Sequence, residues 1–268
     1  MTELLDDLQR FRAAPLLERA AAQRALAGLL GAAFHADPVI ETEDALPFTH
    51  VRTGLPFVAV PGGVLQMGLS DEDLAEASEH IDWSSAVARA AAVLTAHARP
   101  VHAVRVRPFL CARRLLSPPE IARLAGANDG FDSFTREAAR ALTAGTEFRL
   151  PSEAEWEWIA RDGGSRAFVL DVAARQQRGE LPSSRFGIGS LSLPQWVEDD
   201  WHPSYDGAPA DSAPWLEPGG QRSGVQRGGF LEAGMQSRDE LLFALAAVRT
   251  PADEPCWVRL ALELPPIR

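Results

Sequence analysis

The side chains best suited to chemistry cluster in one acidic segment, Glu198-Asp199-Asp200, with His202 and Tyr205 close behind it. Adjacent carboxylates can ligate a hard cation or bind a basic loop of a partner. A histidine beside a tyrosine can act as an acid–base pair. Runs of acidic residues more often form a solvated loop, so a metal site is the less favoured interpretation. We therefore predict a ligand- or partner-binding loop here, without catalytic residues.

Arginine supplies all 26 basic side chains, because the chain contains no lysine. GC-rich codon usage is the simplest explanation for this composition. The absence of lysine excludes a lysine nucleophile or a lysine general base. Five arginines could each bind the carboxylate of a ligand through two hydrogen bonds: Arg149, Arg161, Arg227, Arg249 and Arg259. Buried ion pairs with Glu153, Glu155 or Asp199 are the favoured alternative. The predicted ligand- or partner-binding residues are Trp196, Glu198, Asp199, His202, Tyr205, Arg227 and Arg238.

The composition fits a globular protein of one large domain, or of one domain with an appendage: 268 residues, 46% apolar and 24% charged. The net charge of −11 argues against nucleic acid or an anionic membrane as a partner. No apolar run is long enough to span a bilayer, and the acidic first seven residues lack the layout of a signal peptide. We therefore expect a cytoplasmic protein.

Two cysteines, Cys111 and Cys256, lie far apart and outside any C-x-x-C or metal-ligand cluster. Buried thiols are favoured over a disulfide or a redox pair. Several tryptophans could line a ligand cleft, but most are expected to fill the core: Trp156, Trp158, Trp196, Trp201 and Trp257.

Hydrophobic periodicity places these residues on a mixture of helices and short strands. Helices are predicted in residues 1–35, in part of 71–98, from 117 onwards and over 134–144, with a loop at 36–54. Strands are predicted at 57–60, 64–68, 101–107, 225–230 and 256–264. The first two strands are predicted to form a hairpin around the turn Pro61-Gly62-Gly63. Such a mixture, joined by long irregular loops, indicates an α+β fold.

The segment from Phe148 to Arg161 reads F-R-L-P-S-E-A-E-W-E-W-I-A-R and predicts a strand end followed by an amphipathic helix. Pro151 suits the first helical position, where its missing N–H needs no partner. Glu153 and Glu155 then fall in the first turn, where carboxylates complement the positive end of the helix dipole.

This string resembles the R-L-P-(S/T)-E-A-E-W-E-x-A-A-R signature of the formylglycine-generating enzyme family, the sulfatase-modifying-factor domains. Other family motifs are matched in the same order, at residues 57–68, 100–109, 116–120, 196–201, 225–229 and 257–259. The resemblance implies a C-type-lectin-like α+β fold, with a twisted antiparallel sheet and long loops, over residues 51–268. Residues 1–50 are then predicted to form an N-terminal helical extension.

The family's metal sites are altered in this sequence. Formylglycine-generating members bind copper through two cysteines shortly after the strand matched by 225–229. Residues 230–239 contain no cysteine, and Met235 alone does not supply the soft thiolate ligands that Cu(I) requires. In the family's calcium loop, Gln195 stands at the acidic position and the asparagine ligand is missing. We therefore expect neither copper nor calcium to bind.

A second branch of the family makes sulfur–carbon bonds with non-haem iron, held by histidines on an N-terminal helical domain. His35 and His50 lie near that end but form no H-x-x-x-H-x-E pattern. All six histidines are scattered and are interpreted as separate surface or hydrogen-bonded residues: His35, His50, His80, His97, His102 and His202.

These patterns predict a catalytically degenerate relative of the formylglycine-generating enzymes. Its predicted role is a binding, assembly or accessory module for a protein, peptide or small ligand. The alternative is a non-haem-iron oxidoreductase of the same superfamily with a non-standard site, so iron stays open while no other cofactor is expected. The N-terminal helices, at residues 4–11 and 16–30, could join two copies of the chain. Packing of these helices on their own core is an equal alternative.

Overall fold

A computed structural model describes residues 2–78, 95–125, 134–164, 184–191, 193–218, 223–228, 249–252 and 255–265. Its α-helices are α1 (Leu8–Ala13), α2 (Leu16–Leu30), α3 (Asp71–Ser78), α4 (Pro118–Ala125), α5 (Arg136–Thr143) and α6 (Glu153–Ala160). Its strands are β1 (Phe34–Ala36), β2 (Leu46–His50), β3 (Pro56–Val60), β4 (Gly63–Met67), β5 (His102–Val106), β6 (Phe109–Ala112), β7 (Gln195–Asp200), β8 (Gly224–Arg227), β9 (Arg249–Ala252) and β10 (Ala261–Glu263). Among the described residues, no helix has the length and apolar character needed to cross a membrane.

The described strands form three antiparallel sheets, which together with the helices confirm the α+β class. The largest sheet has the order β1-β2-β3-β6-β10, with Val58 opposite Cys111 and Leu262 opposite Leu110. β4 pairs with β5, and β7, β8 and β9 make the third sheet. Continuous apolar runs in β3 and β6 are almost wholly buried, which suits their place in the interior of the large sheet.

The predicted hairpin of β3 and β4 is wrong, because these consecutive strands enter different sheets. Among the described strands, β3 pairs with β2 and β6, whereas β4 pairs with β5. The turn between them is held by the N-terminal segment: Gly62 N–H donates to Leu5 O (2.7 Å) and Leu8 N–H donates to Gly62 O (2.8 Å). The turn therefore transfers the chain between sheets instead of folding it back.

The first 50 residues are only partly helical. The loop predicted at 36–54 is wrong in its second half, where β2 adds to the large sheet with Phe48 opposite Phe57. This segment is apolar and buried, so side-chain packing outweighs the turn-forming residues around it. Leu5 and Phe11 of the N-terminal segment belong to the same apolar core as Phe48. The division at residues 50 and 51 stays a prediction, and paired strands lie on either side of it.

Helix α6 begins two residues later than predicted, at Glu153. Ser152 is the N-cap: its hydroxyl accepts from Glu155 N–H (3.1 Å), while the Glu155 carboxylate accepts from Ser152 N–H (2.9 Å). This reciprocal pair satisfies two N–H groups at the helix end, which places Pro151 just outside the helix. The capping box outweighs the preference of proline for the first helical position.

The predicted core residues of this region are buried. Trp156 is fully buried and Trp158 is 2% exposed, within the core that α6 forms with β4 and β5. Cys111 and Cys256 are buried free thiols, as predicted, and burial raises the pKa of each to about 12. Neither thiol is therefore ionised near neutral pH.

The packing of Trp158 predicts a strong effect at Gly63. A Cβ added there would lie 2.6 Å from Cη2 of the Trp158 ring, which is too close without a rearrangement. We expect Gly63→Ala to lower the free energy of unfolding by about 1–3 kcal/mol in urea denaturation. Gly28→Ala is the matched control, since no heavy atom lies within 4 Å of its Cβ position in α2. That control is expected to stabilise the chain by about 0.5–1 kcal/mol. Equal effects of the two substitutions on the free energy of unfolding would contradict the close packing of Trp158 against Gly63.

Candidate functional site

Helix α6 directs two carboxylates, Glu153 and Glu157, into the protein interior. The two residues are one helical turn apart and share a face. Glu153 is 2% exposed and Glu157 is 3% exposed. Buried carboxylates require partners to offset their lost hydration, and arginines from distant parts of the chain supply them.

Glu153 is the centre of this arrangement. Its Oε1 accepts from Arg249 Nε (2.7 Å), from Arg227 Nη1 (3.0 Å) and from the hydroxyl of Tyr205 (2.9 Å), and its Oε2 accepts from Arg249 Nη2 (3.0 Å). Burial by itself would raise the pKa of Glu153, but Arg249 and Arg227 outweigh it and hold the pKa at about 2. Glu153 is therefore a permanent anion in the folded protein near neutral pH.

Glu157 extends the same cluster by one turn. Its Oε2 accepts from Arg227 Nη2 (3.2 Å), while its Oε1 accepts from Gly68 N–H (2.8 Å) and from Arg161 Nη1 (3.2 Å). We call this set the buried arginine–carboxylate network; its members are Glu153, Glu157, Arg161, Tyr205, Arg227 and Arg249. The predicted buried pairing with Glu153 is confirmed for Arg227 and Arg249. It is wrong for Arg161, which pairs with Glu157.

Aromatic rings close over the two central guanidinium groups. The guanidinium carbon of Arg227 lies 4.6 Å from the centre of the Trp156 ring. That of Arg249 lies 4.7 Å from the Trp201 ring and 4.4 Å from the Tyr205 ring. Such contacts favour the cations in a desolvated place, so the network is stabilised by both charge and packing.

The Asp199 carboxylate lies at the start of α6 and accepts from two backbone N–H groups, while Arg136 Nη2 donates to the Asp199 backbone carbonyl (2.9 Å). Asp199 Oδ2 accepts from Glu153 N–H (2.7 Å) and Asp199 Oδ1 accepts from Trp215 N–H (2.8 Å). Burial and the neighbouring Glu153 carboxylate raise the pKa of Asp199 from its ordinary value of 3.8 to about 7, against the opposing effect of the two N–H groups. The Asp199 carboxyl group can therefore change charge near neutral pH.

The raised pKa of Asp199 predicts a specific pH dependence of stability. The folded state holds this proton more tightly than the unfolded state, so the contribution is fully present below about pH 4 and is lost as the pH rises through 7. We expect the Asp199→Asn variant to lack this decline when unfolding is measured between pH 5 and 8. The slope removed is at most about 1.4 kcal/mol per pH unit. Exposed Asp206→Asn serves as the control, and identical slopes for wild type and Asp199→Asn would contradict the assignment.

A cleft lies beside Glu155, the third carboxylate of α6. Arg149 donates from Nη1 and Nη2 to the two oxygens of Glu155, each at 2.7 Å. This pair lines a cavity of about 270 Å³, whose other walls are Arg107, Pro108, Ser212, Ala213, Pro214, Glu263 and Leu264. Arg149 and Glu155 of the signature thus line a cleft, and Glu155 also completes the helix cap with Ser152.

The sequence-predicted binding residues fall in three places. Tyr205 and Arg227 meet in the network, 3.2 Å apart, and Asp199 adjoins it through the backbone of Glu153. Glu198 instead binds Arg140 Nε (3.1 Å), and Trp196 is buried with its Nε1–H bonded to Phe134 O (2.7 Å). Their role in binding a ligand or partner stays a prediction.

His202 occupies the third place, at the edge of the site. Its Nε2 lies 2.8 Å from Oε1 of Glu217, and its ring stacks on Trp215 with the ring centres 3.5 Å apart. Tyr205 bonds Glu153 and not His202, so no acid–base contact between the predicted pair is present. Arg238 lies outside the described residues, as does the segment 229–248 in which family members place their copper ligands.

Gln195 and Arg259 form a second buried contact, at the position that the sequence resemblance aligns with the family's calcium loop. Arg259 is fully buried and donates to Gln195 Oε1 (2.8 Å), Ala112 O (2.8 Å) and Gly189 O (2.6 Å). Burial lowers the pKa of Arg259 to about 10. Gln195 also donates from Nε2 to Ser190 O and Leu193 O, each at 3.2 Å, so its amide is fully engaged within the protein. Within the described ranges, no group of three or more His, Cys, Asp or Glu side chains is arranged to hold a metal ion.

Two solved structures resemble this chain over most of its length. The structure of PvdO from Pseudomonas aeruginosa matches with a TM-score of 0.59 at 18% identity, covering 81% of this chain and 98% of PvdO. Treponema denticola variable protein 1 matches with a TM-score of 0.52 at 14% identity, covering 80% of this chain and 98% of that protein. No protein-family model matches the chain, and no curated protein matches it. The likeness supports a distant relationship to the formylglycine-generating-enzyme-like fold of PvdO, and at this identity it shows the fold alone.

Proposed function

We propose that this chain is a formylglycine-generating-enzyme-like module that binds a protein, peptide or small ligand and does not carry out the family's copper chemistry. The observation that carries the proposal is the buried arginine–carboxylate network at the ends of β8 and β9. In the family, the copper-binding cysteines follow the strand that β8 matches. Here residues 229–248 contain no cysteine, and charged side chains adjacent to this position bond one another.

The low pKa of Glu153 and the hydrogen bonds that Glu153 and Glu157 already accept favour a structural role for the network. A general acid or base works best when its pKa lies near the working pH, whereas the pKa of Glu153 is about 2. Both oxygens of Glu153 and of Glu157 already accept hydrogen bonds from protein groups. Ligation of a metal by these oxygens would break ion pairs and leave buried guanidinium groups unpaired, at a cost of several kcal/mol.

The cleft beside Arg149 and Glu155 supports a binding role. It lies next to the signature helix and is lined by Glu155 of α6, by Glu263 of β10 and by Arg107 and Pro108 of the connection between β5 and β6. Binding residues are commonly carried by loops on a framework of helices and strands. Residues 212–214, which form one wall, belong to a loop between β7 and β8.

An anaerobic titration with Cu(I) against a chromophoric chelator tests the proposed loss of copper chemistry. We expect the chain to remove no Cu(I) from the chelator, because both of its thiols are buried and separate. The Cys256→Ser variant is the control, and it is expected to behave like the wild type. Stoichiometric transfer of Cu(I) that disappears in Cys256→Ser would contradict the proposal.

A further inference from the structure

Helix α2 is apolar on two sides, and the protein covers one of them. Ala22 and Leu26 face the interior and belong to the same core as Phe48. The opposite side carries Ala21 and Leu17, and the Leu17 side chain is 83% exposed. A helix that is apolar all round is normally buried all round. The outer side of α2 therefore has the character of a contact surface.

Further leucines lie at both ends of this outer side. Leu16 is 44% exposed in the first turn of α2, and Leu29 is 47% exposed in the last turn. Scattered exposed leucines are ordinary, whereas three on one helix, with small residues between them, indicate an interaction surface. We call the exposed residues of this helix the α2 surface: Leu16, Leu17, Glu18, Ala21, Arg24, Gly28 and Leu29.

The α2 surface carries one charge of each sign, Glu18 in the first turn and Arg24 near the middle of the helix. Neither side chain is bonded to another group within the described ranges. The two are neither three nor four residues apart, so they do not meet along the helix. The surface as a whole is neutral, so it escapes the repulsion that the net charge of −11 causes elsewhere on the chain. A second copy of the surface, turned end to end, supplies each charge with its opposite, which favours self-association over an unrelated partner.

The sizes of the side chains fit an antiparallel pairing of two α2 helices. About an axis between residues 22 and 23, Leu17 of one copy faces Gly28 of the other, and Arg24 faces Ala21. Each large side chain then meets a small one. No heavy atom lies within 4 Å of the Cβ position of Gly28, so packing within the chain does not require a glycine there. Glu18 of the second copy is the helical neighbour of its Ala21, within reach of Arg24.

We propose that the α2 surface binds a second copy of this chain, in an antiparallel pair of α2 helices related by a twofold axis. Such a contact uses the same patch on both copies. One helix face is smaller than the roughly 800 Å² per partner of a standard interface, so the dimer is expected to be weak, with a Kd of about 0.1 mM. The residues that line the cleft beside α6 include none from α2. The inference therefore goes beyond the proposed ligand-binding function and does not depend on it.

A weak dimer leaves the stability of the single chain unaffected under ordinary unfolding conditions. At about 1 µM, well below the expected Kd, the chain is a monomer by mass action. Substitutions on the α2 surface are therefore expected to change association at high concentration and not unfolding at low concentration.

Sedimentation equilibrium of the full chain, from about 10 to 500 µM at about 0.15 M salt, tests the proposal. We expect an equilibrium between monomer and dimer. A single monomeric species over the whole range would leave the surface to a different partner and overturn the proposal. Assemblies larger than a dimer would overturn the twofold pairing.

Two charge-reversed variants locate the contact. Glu18→Arg and Arg24→Glu each place like charges opposite one another in both halves of the symmetric pair. Each is expected to weaken self-association about ten-fold or more. Glu137→Arg makes the matched change in the exposed first turn of α5 and is expected to dimerise like the wild type. Dimers that persist unchanged in both α2 variants would place the contact elsewhere and overturn the proposal.

A mixture of the two variants separates a charge-paired contact from damage to the fold. One variant carries two arginines and the other two glutamates on this surface, so opposite charges face each other again in a mixed pair. We expect the equimolar mixture to form a heterodimer with about the wild-type affinity, although neither variant dimerises well alone. Far-UV circular dichroism establishes that each variant is folded. A mixture that associates no better than the separate variants would overturn the antiparallel pairing.

Discussion

Replacement of Glu153 by glutamine is expected to lower the free energy of unfolding by about 3–5 kcal/mol. The change keeps the shape of the side chain but removes the charge that neutralises Arg227 and Arg249. Both guanidinium groups are buried, and Arg249 has Glu153 as its carboxylate partner within the described residues. Arg227 retains Glu157 at 3.2 Å, so the loss falls mainly on Arg249.

Urea denaturation followed by tryptophan fluorescence measures this effect. Glu41→Gln makes the same chemical change at an exposed turn and is expected to alter stability by less than about 0.5 kcal/mol. Tyr205→Phe removes two hydrogen bonds, the one donated to Glu153 and the one accepted from Arg227, and is expected to cost about 1–3 kcal/mol. A loss below 1 kcal/mol for Glu153→Gln would show that the network does not stabilise the fold.

Replacement of Trp158 by alanine is expected to cost about 3–5 kcal/mol. The ring is 2% exposed, packs against Gly63 and Gly163, and donates its Nε1–H to Pro61 O at 2.9 Å. Removal of the ring would leave a cavity and an unpaired carbonyl at the point where the chain passes from β3 to β4. The glycines around the ring cannot fill that space.

The control for this prediction is Leu17→Ala, since the Leu17 side chain on α2 is 83% exposed. That change is expected to alter stability by no more than about 0.5 kcal/mol. Thermal and urea unfolding of both variants against the wild type give the comparison. Similar effects of the two substitutions would be inconsistent with Trp158 as a core residue.

Local patterns in the sequence predicted the signature helix well. The helix itself and the burial of its two tryptophans were predicted, and the structure contains both. The cap formed by Ser152 and Glu155 was not predicted, because Pro151 was expected at the first helical position.

The arginines were expected to pair with Glu153, Glu155 or Asp199, and Arg149, Arg227 and Arg249 do pair with the first two. The expectation is wrong for Arg161, which pairs with Glu157, and for Arg259, which bonds Gln195. The correct inferences succeeded because a buried carboxylate requires a cationic partner, and arginine is the basic residue that this chain has.

Pairings between distant segments could not be predicted in the same way. Arg249 and Glu153 are 96 residues apart, so nothing local selects one arginine over another. The strand character of β3 and β4 was correct, but alternation of apolar residues does not identify the neighbouring strand. Glu157 carried one weak signal, its four-residue spacing from Glu153 on a largely apolar helix. No sequence signal indicated that Arg107 and Glu263 line the same cleft, because their proximity depends on β10 lying beside β6.

The metal content and native mass of the protein, purified without added metal, test the central claim most directly. Elemental analysis and native mass spectrometry on the same sample give the metal per chain and the number of chains per particle. We expect far less than one copper or iron atom per chain, in protein that is folded by circular dichroism. One copper or iron atom per chain, retained through gel filtration, would contradict the assignment of a binding module and support a metal-dependent oxidoreductase.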